Sequence, residues 1–120
     1  MESLGAEDFG FLEMQKMQSE LQEKYRGLWE PVVPQTGKNK LLWMMIEAGE
    51  AADIIKKDGA EKIIDNEETR RHFIEELTDV MMYFNDIMSC FDISVEEFKQ
   101  IYRMKHNKNM ERWQSDDTAQ

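Results

Sequence analysis

The sequence contains one cysteine and two prolines, and it has few valines and threonines. The single cysteine, Cys90, excludes an intrachain disulfide and is typical of a reducing cytoplasm, where we expect the protein to work. Scarce valine and threonine, together with apolar residues at helical intervals, predict an all-α fold rather than a sheet. Both prolines fall in the segment 27–39, which is therefore predicted to be a loop.

The sequence also has few basic residues and no long hydrophobic run. The chain has 25 acidic residues against 15 lysines and arginines, which argues against binding to nucleic acid or to an anionic membrane. Its longest nearly apolar stretch, 41–55, is interrupted by acids and is too short to span a bilayer. No nucleic-acid or membrane partner is expected. A nucleotide remains compatible with the acidic balance, because a bound divalent cation can reverse the local charge.

Helical apolar spacing divides the chain into four predicted helices, over about residues 8–25, 40–57, 67–91 and 94–113. Asn66 is expected to cap the third helix, and Ser94 with Glu97 forms a capping box at the start of the fourth. One domain is expected over residues 1–113, and the polar tail 114–120 is predicted to be disordered.

The second predicted helix is apolar on both sides. One side consists of Leu41, Leu42, Met45, Ala48, Ala52 and Ile55. Glu47 and Glu50 lie on the other side, among Trp43, Ile46 and Ile54. A helix that is apolar nearly all round is expected to be buried, often by a second chain. Two glutamates in such a surface would repel each other and resist desolvation, and a divalent cation between them would remove both problems.

The third predicted helix carries a similar acidic pair. Its core stripe is expected to consist of Phe73, Leu77, Val80, Phe84, Ile87, Met88 and Phe91. Glu76 and Asp79 lie on an adjoining strip, where carboxylates three residues apart share one face and can bind one hard cation. Two such helices packed antiparallel would surround a Mg²⁺ ion with the carboxylates of Glu47, Glu50, Glu76 and Asp79.

The acidic pairs are open to two other interpretations. A Glu-x-x-Glu pair is common on solvated helix faces, so the pairs are also compatible with an ordinary charged surface. A di-iron site of the ferritin kind needs a histidine three residues after a ligand glutamate. Neither His72 nor His106 follows a glutamate at that spacing, so a di-iron site is not expected.

The order of these motifs resembles a known family. Glu47-Ala-Gly-Glu50, the spacer 51–75 and Glu76-Leu-Thr-Asp79 are similar to the signature of the MazG-like all-α nucleoside triphosphate pyrophosphatases. That superfamily includes the dimeric dUTPases, the dCTP pyrophosphatases and the phosphoribosyl-ATP pyrophosphohydrolases. The resemblance covers about residues 10–113. It implies a four-helix MazG-like bundle that is completed by homo-oligomerisation, as a homodimer or homotetramer.

The resemblance also implies an activity and a set of residues. The expected enzyme hydrolyses nucleoside triphosphates between the α and β phosphates, with Mg²⁺ as cofactor and Mn²⁺ as a substitute. The catalytic and metal-binding residues would be Glu47, Glu50, Glu76 and Asp79. A carboxylate that is not fully engaged with the metal could take a proton from water as general base, and Glu50 is our choice for that role. The substrate-binding residues would be Lys105, Asn109 and Arg112 at the phosphates, and Trp29 and Tyr83 near the base.

Several of these roles stay open when the residues are considered alone. Lys105 and Asn109 share one face of the fourth helix, but a basic helix C-terminus also complements the helix dipole. Tyr83, at helical spacing, is compatible with a core position, whereas Trp29 lies in a loop and is the better candidate for stacking on a base. The competing class is a non-catalytic helical dimerisation or regulatory module with a vestigial MazG site. A third possibility is hydrolysis of a different phosphate ester.

Overall fold

The computed structural model describes residues 9–119, with side chains up to residue 112. Its elements in chain order are α1 (Phe11–Lys24), a 3₁₀ turn (Pro34–Thr36), α2 (Gly37–Asp58), α3 (Ala60–Asp65), α4 (Glu67–Cys90) and α5 (Val95–Ala119). No strand occurs in this range, so the all-α prediction is confirmed for the described residues. Within it, no helix has both the length and the apolar character that a membrane crossing requires.

The helix ends follow from local side-chain and backbone chemistry. The Thr69 N–H donates to Asn66 Oδ1 at 2.9 Å, and the Glu97 N–H donates to Ser94 Oγ at 3.0 Å. Both predicted N-caps are therefore confirmed. α2 ends at Asp58, and the φ of 83° at the following Gly59 is a conformation that glycine adopts without a Cβ penalty.

Two boundaries differ from the sequence-based expectation. α2 begins at Gly37, because the 3₁₀ turn before it already leads the chain into helical geometry. Gly37 also packs so closely on Phe91 that an added Cβ would lie 2.5 Å from that ring. α5 continues beyond Trp113 to Ala119, and Gln120 lies outside the described residues. The predicted disorder of 114–120 stays a prediction.

The main packing contact joins α2 and α4, and the short α3 between them touches both. The side of α2 that this packing buries contains Lys40, Ala51 and Ile54, with Glu47 half-buried in the same row. Much of the opposite apolar side is 44–60% exposed, at Leu41, Leu42, Met45 and Ile55. The packing on α4 therefore buries only part of the glutamate-bearing side of α2, where Trp43 and Ile46 are 50% and 49% exposed, and it leaves much of the other side uncovered.

Burial on α4 only partly follows the predicted stripe. Met88 is buried as expected, and Phe84 meets the rings of Phe11 and Phe98, with centroids 6.1 and 5.3 Å away. Leu77 and Phe91 were predicted to belong to the same core, and that prediction is wrong, because they are 44% and 51% exposed. The apolar stripe of α4 is wider than the surface that the neighbouring helices cover.

α5 packs against α1 near its own beginning. Asp92, with φ of 55°, lies in the turn before α5, and Phe98 then contacts Phe11 with ring centroids 5.0 Å apart. Farther along α5, large apolar side chains are exposed, at Ile101, Tyr102, Met104 and Met110. These four apolar side chains are therefore uncovered, and they alternate with exposed charged residues such as Arg103 and Lys108.

Candidate functional site

The four predicted carboxylates come together where α2 faces α4. Glu47, Glu50 and Glu76 each place a carboxylate oxygen within 4.8 Å of the others. Asp79 joins them through a side-chain hydrogen bond with Glu47, and Glu50 pairs in the same way with Glu76. Because 47 pairs with 79 and 50 with 76, the two helices run antiparallel here. The acidic pair of α2 and the acidic pair of α4 thus form one cluster between the two helices.

The electrostatics of this cluster disfavour four negative charges. Burial, the hydrogen bond that the protonated Glu47 carboxyl donates to Asp79, and the nearby negative charges raise the pKa of Glu47 from 4.5 to about 7. The hydrogen bond with Glu50, followed by burial, raises the pKa of Glu76, and nearby His72 lowers it only slightly. His72 Nε2 is 4.0 Å from a Glu76 oxygen and is largely exposed, so it compensates little of the charge. Protons, or a cation, are needed to hold these carboxylates together.

We expect the metal-free protein to lose stability as the pH rises from about 5 to about 8. The folded chain keeps a proton on Glu47 up to about pH 7, whereas the unfolded chain releases it near 4.5. Between these values the unfolded state binds fewer protons, so rising pH favours unfolding. The raised pKa of Glu76 acts in the same direction.

Thermal unfolding in EDTA across this pH range measures the effect. The Tm of the wild type should fall with pH, and the Glu47→Gln variant should show a shallower fall because its side chain no longer titrates. Equal slopes for the two proteins would contradict the assignment of the raised pKa to Glu47.

The oxygen-only composition of the cluster fits a hard divalent cation such as Mg²⁺ better than a softer metal such as zinc or copper. Carboxylates that already approach one another closely need little rearrangement to share such an ion. The residues that could hold it are Glu47, Glu50, Glu76 and Asp79.

A cavity of about 330 Å³ adjoins the cluster at Asp79. This volume is at the lower end of the range for small-molecule sites, about 300–1,000 Å³. Its walls combine aromatic, apolar and polar side chains, and they include Trp29, Trp43, Tyr83, Met82, Lys40 and Asp86. An anhydride held at the carboxylates could therefore extend an attached ring into this space.

Trp29 and Tyr83, both predicted near the base, line this cavity. Trp29 stacks on Tyr25 with ring centroids 4.6 Å apart and planes inclined by 18°. Burial, followed by the negative charges of Glu47, Asp86 and Asp79, raises the pKa of the Tyr83 hydroxyl. The structure thus brings these two aromatic residues to the same cavity as Asp79.

The loop that carries Trp29 is tied to the start of α2. Lys40 Nζ donates to the Glu30 carbonyl oxygen at 3.2 Å, and Asn39 Nδ2 donates to the Glu30 carboxylate at 2.9 Å. The Thr36 hydroxyl donates to the Pro31 carbonyl oxygen at 2.6 Å. These hydrogen bonds fix the proline-containing loop beside the cavity.

The three residues predicted to contact phosphates lie on α5, which packs against α1. Lys105 and Arg112 are exposed, and neither forms an ion pair with any acid among the described side chains. Asn109 is half-buried, and its Oδ1 atom is enclosed without a hydrogen-bond partner. No described hydrogen bond or ion pair connects these three residues with the carboxylate cluster.

No protein-family model, curated protein or solved structure matches this chain. The assignment of the candidate site therefore rests on the geometry described above.

Five polar residues that line the cavity were not predicted as site residues from the sequence: Gln18, Gln22, Glu30, Lys40 and Asp86. The available signal was the pair of glutamines four residues apart on α1, which places both amides on one face. Their partner is on α4, far away in sequence, so the spacing alone could not identify it.

Proposed function

We propose that the protein is a Mg²⁺-dependent nucleoside triphosphate pyrophosphohydrolase of the MazG type. It would cleave between the α and β phosphates and release a nucleoside monophosphate and pyrophosphate. The observation that carries this proposal is the cluster of Glu47, Glu50, Glu76 and Asp79 beside an aromatic-walled cavity. The carboxylate oxygens are suitable ligands for Mg²⁺, which would in turn bind the substrate phosphates. The aromatic walls of the cavity are suitable for stacking on a nucleobase.

The carboxylates would hold Mg²⁺, with Mn²⁺ as a substitute. When bound, the ion supplies positive charge for the phosphate oxygens and lowers the pKa of a coordinated water. Glu50, on the exposed side of the cluster, would accept a proton from the attacking water as general base. Trp29 and Tyr83 would stack on the base and exclude water around it.

Lys105, Asn109 and Arg112 would bind the phosphates, since a triphosphate near four acids needs compensating positive charge. In the described chain they are not joined to the carboxylates, and their helix exposes apolar residues. Both facts favour an assembly in which α5 of one chain reaches the site of another.

We further propose that the active unit is a four-helix MazG-like bundle completed by homo-oligomerisation, as a homodimer or homotetramer. The uncovered apolar side of α2, defined above, and the exposed apolar residues of α5 together leave much surface that a second copy could bury. Several large apolar side chains exposed on one small domain support the proposal of such an interface.

A hydrolysis panel tests the reaction. Purified protein is incubated with each standard ribo- and deoxynucleoside triphosphate plus dUTP, with Mg²⁺ or with EDTA, and pyrophosphate and orthophosphate are measured separately. We expect pyrophosphate release that EDTA abolishes, because the carboxylates alone cannot neutralise the triphosphate. Orthophosphate as the sole product would contradict the α–β cleavage. No product with any substrate would favour the non-catalytic regulatory module or an unlike phosphate ester.

A further inference from the structure

Trp29 lines the cavity, although its side chain is 42% exposed and lies in the segment between α1 and the 3₁₀ turn. Packing in the core therefore does not fix the indole ring. A ring that stacks on a ligand is either held in place beforehand or ordered at the moment of binding, and ordering it then weakens the affinity. The contacts that hold Trp29 therefore show how the cavity can receive a flat ring.

The chain folds back on itself between Tyr25 and Trp29. The Tyr25 N–H donates to the Leu21 carbonyl oxygen at 3.0 Å, which fixes Tyr25 at the end of α1. The Tyr25 carbonyl oxygen accepts hydrogen bonds from the N–H groups of Leu28 and Trp29, both at 2.9 Å. Gly27, inside this turn, has a φ of 91°, which residues with a Cβ rarely adopt. The backbone of Trp29 is thus tied to the last turn of α1.

The side chains of the same two residues are also in contact. The rings of Tyr25 and Trp29 stack with centroids 4.6 Å apart and planes inclined by 18°. Lys24 Nζ lies 5.6 Å from the centre of the Tyr25 ring, within the range of a cation–π contact. Tyr25 is half-buried and is not one of the residues that line the cavity. Tyr25 therefore covers one face of the indole, and Trp29 alone of the pair reaches the cavity.

The residue that follows Trp29 is anchored to α2. The Glu30 carbonyl oxygen accepts a hydrogen bond from Lys40 Nζ at 3.2 Å, and Lys40 is only 5% exposed. The Glu30 carboxylate accepts a second hydrogen bond from Asn39 Nδ2 at 2.9 Å. Trp29 therefore lies between two fixed neighbours, and its backbone cannot shift without breaking hydrogen bonds to α1 or to α2.

We propose that Tyr25 is a positioning residue that holds Trp29 as a pre-organised platform on which a flat ring stacks in the cavity. Tyr25 does not touch the ligand and acts through the indole of Trp29. Aromatic stacking accepts any base, so this role concerns affinity and not the choice of base. The inference rests on the proposed function in taking the flat ring to be the base of a nucleotide.

The fluorescence of Trp29 tests the positioning without a ligand. When Trp43 and Trp113 are replaced by Phe, Trp29 is the only tryptophan in the chain. In this background we expect Tyr25→Ala to shift the emission to longer wavelength and to increase quenching by acrylamide, because the covered face of the indole becomes exposed to water. Tyr25→Phe keeps the ring and should retain the parent emission and quenching. Unchanged emission and quenching in Tyr25→Ala would contradict the proposal.

Nucleotide binding tests the consequence for affinity. Calorimetric titration with each deoxynucleoside 5′-monophosphate in Mg²⁺ gives Kd without turnover. For the monophosphate that binds most tightly, we expect Tyr25→Ala to raise Kd about three- to tenfold, because the indole must then be ordered on binding. Tyr25→Phe should stay within about twofold of the wild type. A wild-type Kd in Tyr25→Ala, an equal rise in Tyr25→Phe or no binding to the wild type would overturn the inference.

Leu28→Ala is the matched control for Tyr25→Ala. Leu28 belongs to the same turn and precedes Trp29, but its side chain is 82% exposed. Its truncation should therefore leave Kd and the quenching of Trp29 within about twofold of the wild type. A rise in Kd as large as that of Tyr25→Ala would show that any change in the turn weakens binding, and it would contradict a specific role for Tyr25.

Gly27→Ala changes the platform by an independent route. No atom lies within 4 Å of a Cβ added at Gly27, so the substitution acts only through the φ of 91°. It should raise Kd and the quenching of Trp29 in the same direction as Tyr25→Ala, and it keeps the inference testable if Tyr25→Ala does not fold. Gly10→Ala is the control, because Gly10 is equally open but has an extended backbone. Wild-type values in Gly27→Ala would contradict a pre-organised turn.

Steady-state kinetics separate this inference from the proposed function. A rise in KM of about three- to tenfold at unchanged kcat in Tyr25→Ala would support both. Pyrophosphate release by this variant at the wild-type KM would leave the proposed function standing and overturn the inference. The expected changes in Kd without hydrolysis of any triphosphate would support the role of Tyr25 and overturn the proposed function.

Discussion

Replacing Glu47 with Gln should lower kcat by about 10³-fold or more while the helical fold persists, because the change removes a charge from the centre of the reaction without changing the side chain's size. Asp79→Asn should have a similar effect. Both positions lie in the carboxylate cluster, and their side chains hydrogen-bond each other. An amide at either place weakens the binding of a divalent ion and reduces the negative field that orients it.

Without metal, these variants should be as stable as the wild type or more stable, although their kcat falls. Without metal, Glu47→Gln relieves both the desolvation and the repulsion that raise the pKa of that residue. The variant should therefore unfold at the same Tm as the wild type or at a higher one in EDTA at pH 8. Addition of Mg²⁺ should then stabilise the wild type and not the variant, by up to about 2.7 kcal/mol at a metal concentration a hundred times the Kd.

Glu75→Gln is the matched control for both measurements. Glu75 is exposed and precedes Glu76 on α4, so its side chain points away from the cluster. Its loss should leave kcat and the response to Mg²⁺ within about twofold of the wild type. Near-wild-type turnover in both Glu47→Gln and Asp79→Asn would refute the assignment of the site.

A heterodimer of one Glu47→Gln chain and one Lys105→Ala chain should recover about half of the wild-type activity, although each variant alone is expected to lose about 10²-fold or more. The recovery follows if Lys105 of one chain serves the carboxylates of the other. One site of the heterodimer then has both groups intact, and the other has lost both. If both groups acted within one chain, each site would carry one lesion and activity would stay low.

Co-expression with two affinity tags and sequential purification isolates the heterodimer for this assay. The heterodimer of Glu47→Gln with Asp79→Asn is the control, because each of its sites lacks one carboxylate in either arrangement. Activity confined to the first heterodimer would support a shared site. Equal, negligible activity in both would show that α5 does not serve a second chain.

The acidic pair on each helix was predictable because it depends on spacing within one helix, whereas the meeting of the two pairs depends on how α2 packs against α4. Glu76 and Asp79 are three residues apart, so a helix of any sequence places them on one face. The caps at Asn66 and Ser94 are predictable for the same reason, since their partners lie three residues ahead. Local periodicity carries these features without knowledge of what the helices pack against.

The packing faces were less accessible to sequence reasoning. α2 is apolar on both sides, so its composition could not determine which side meets α4. Leu77 and Phe91 were assigned to the core because apolar periodicity marks potential contact, not the area that neighbouring helices cover. The Gln22–Asp86 hydrogen bond joins residues on different helices, and nothing in either local sequence specifies that pairing.

The buried Cys90 gives the protein a built-in reporter. Its sulfur lies 3.6 Å from the Thr36 hydroxyl, at the junction between the start of α2 and the end of α4, and the chain contains no other cysteine. A thiol-specific reagent can reach this atom only when the junction opens, so the rate of alkylation measures the frequency of that opening at a single known position. Ligands that clamp the two acidic helices together would slow the labelling, which makes their binding visible without a substrate, a product or an added chromophore.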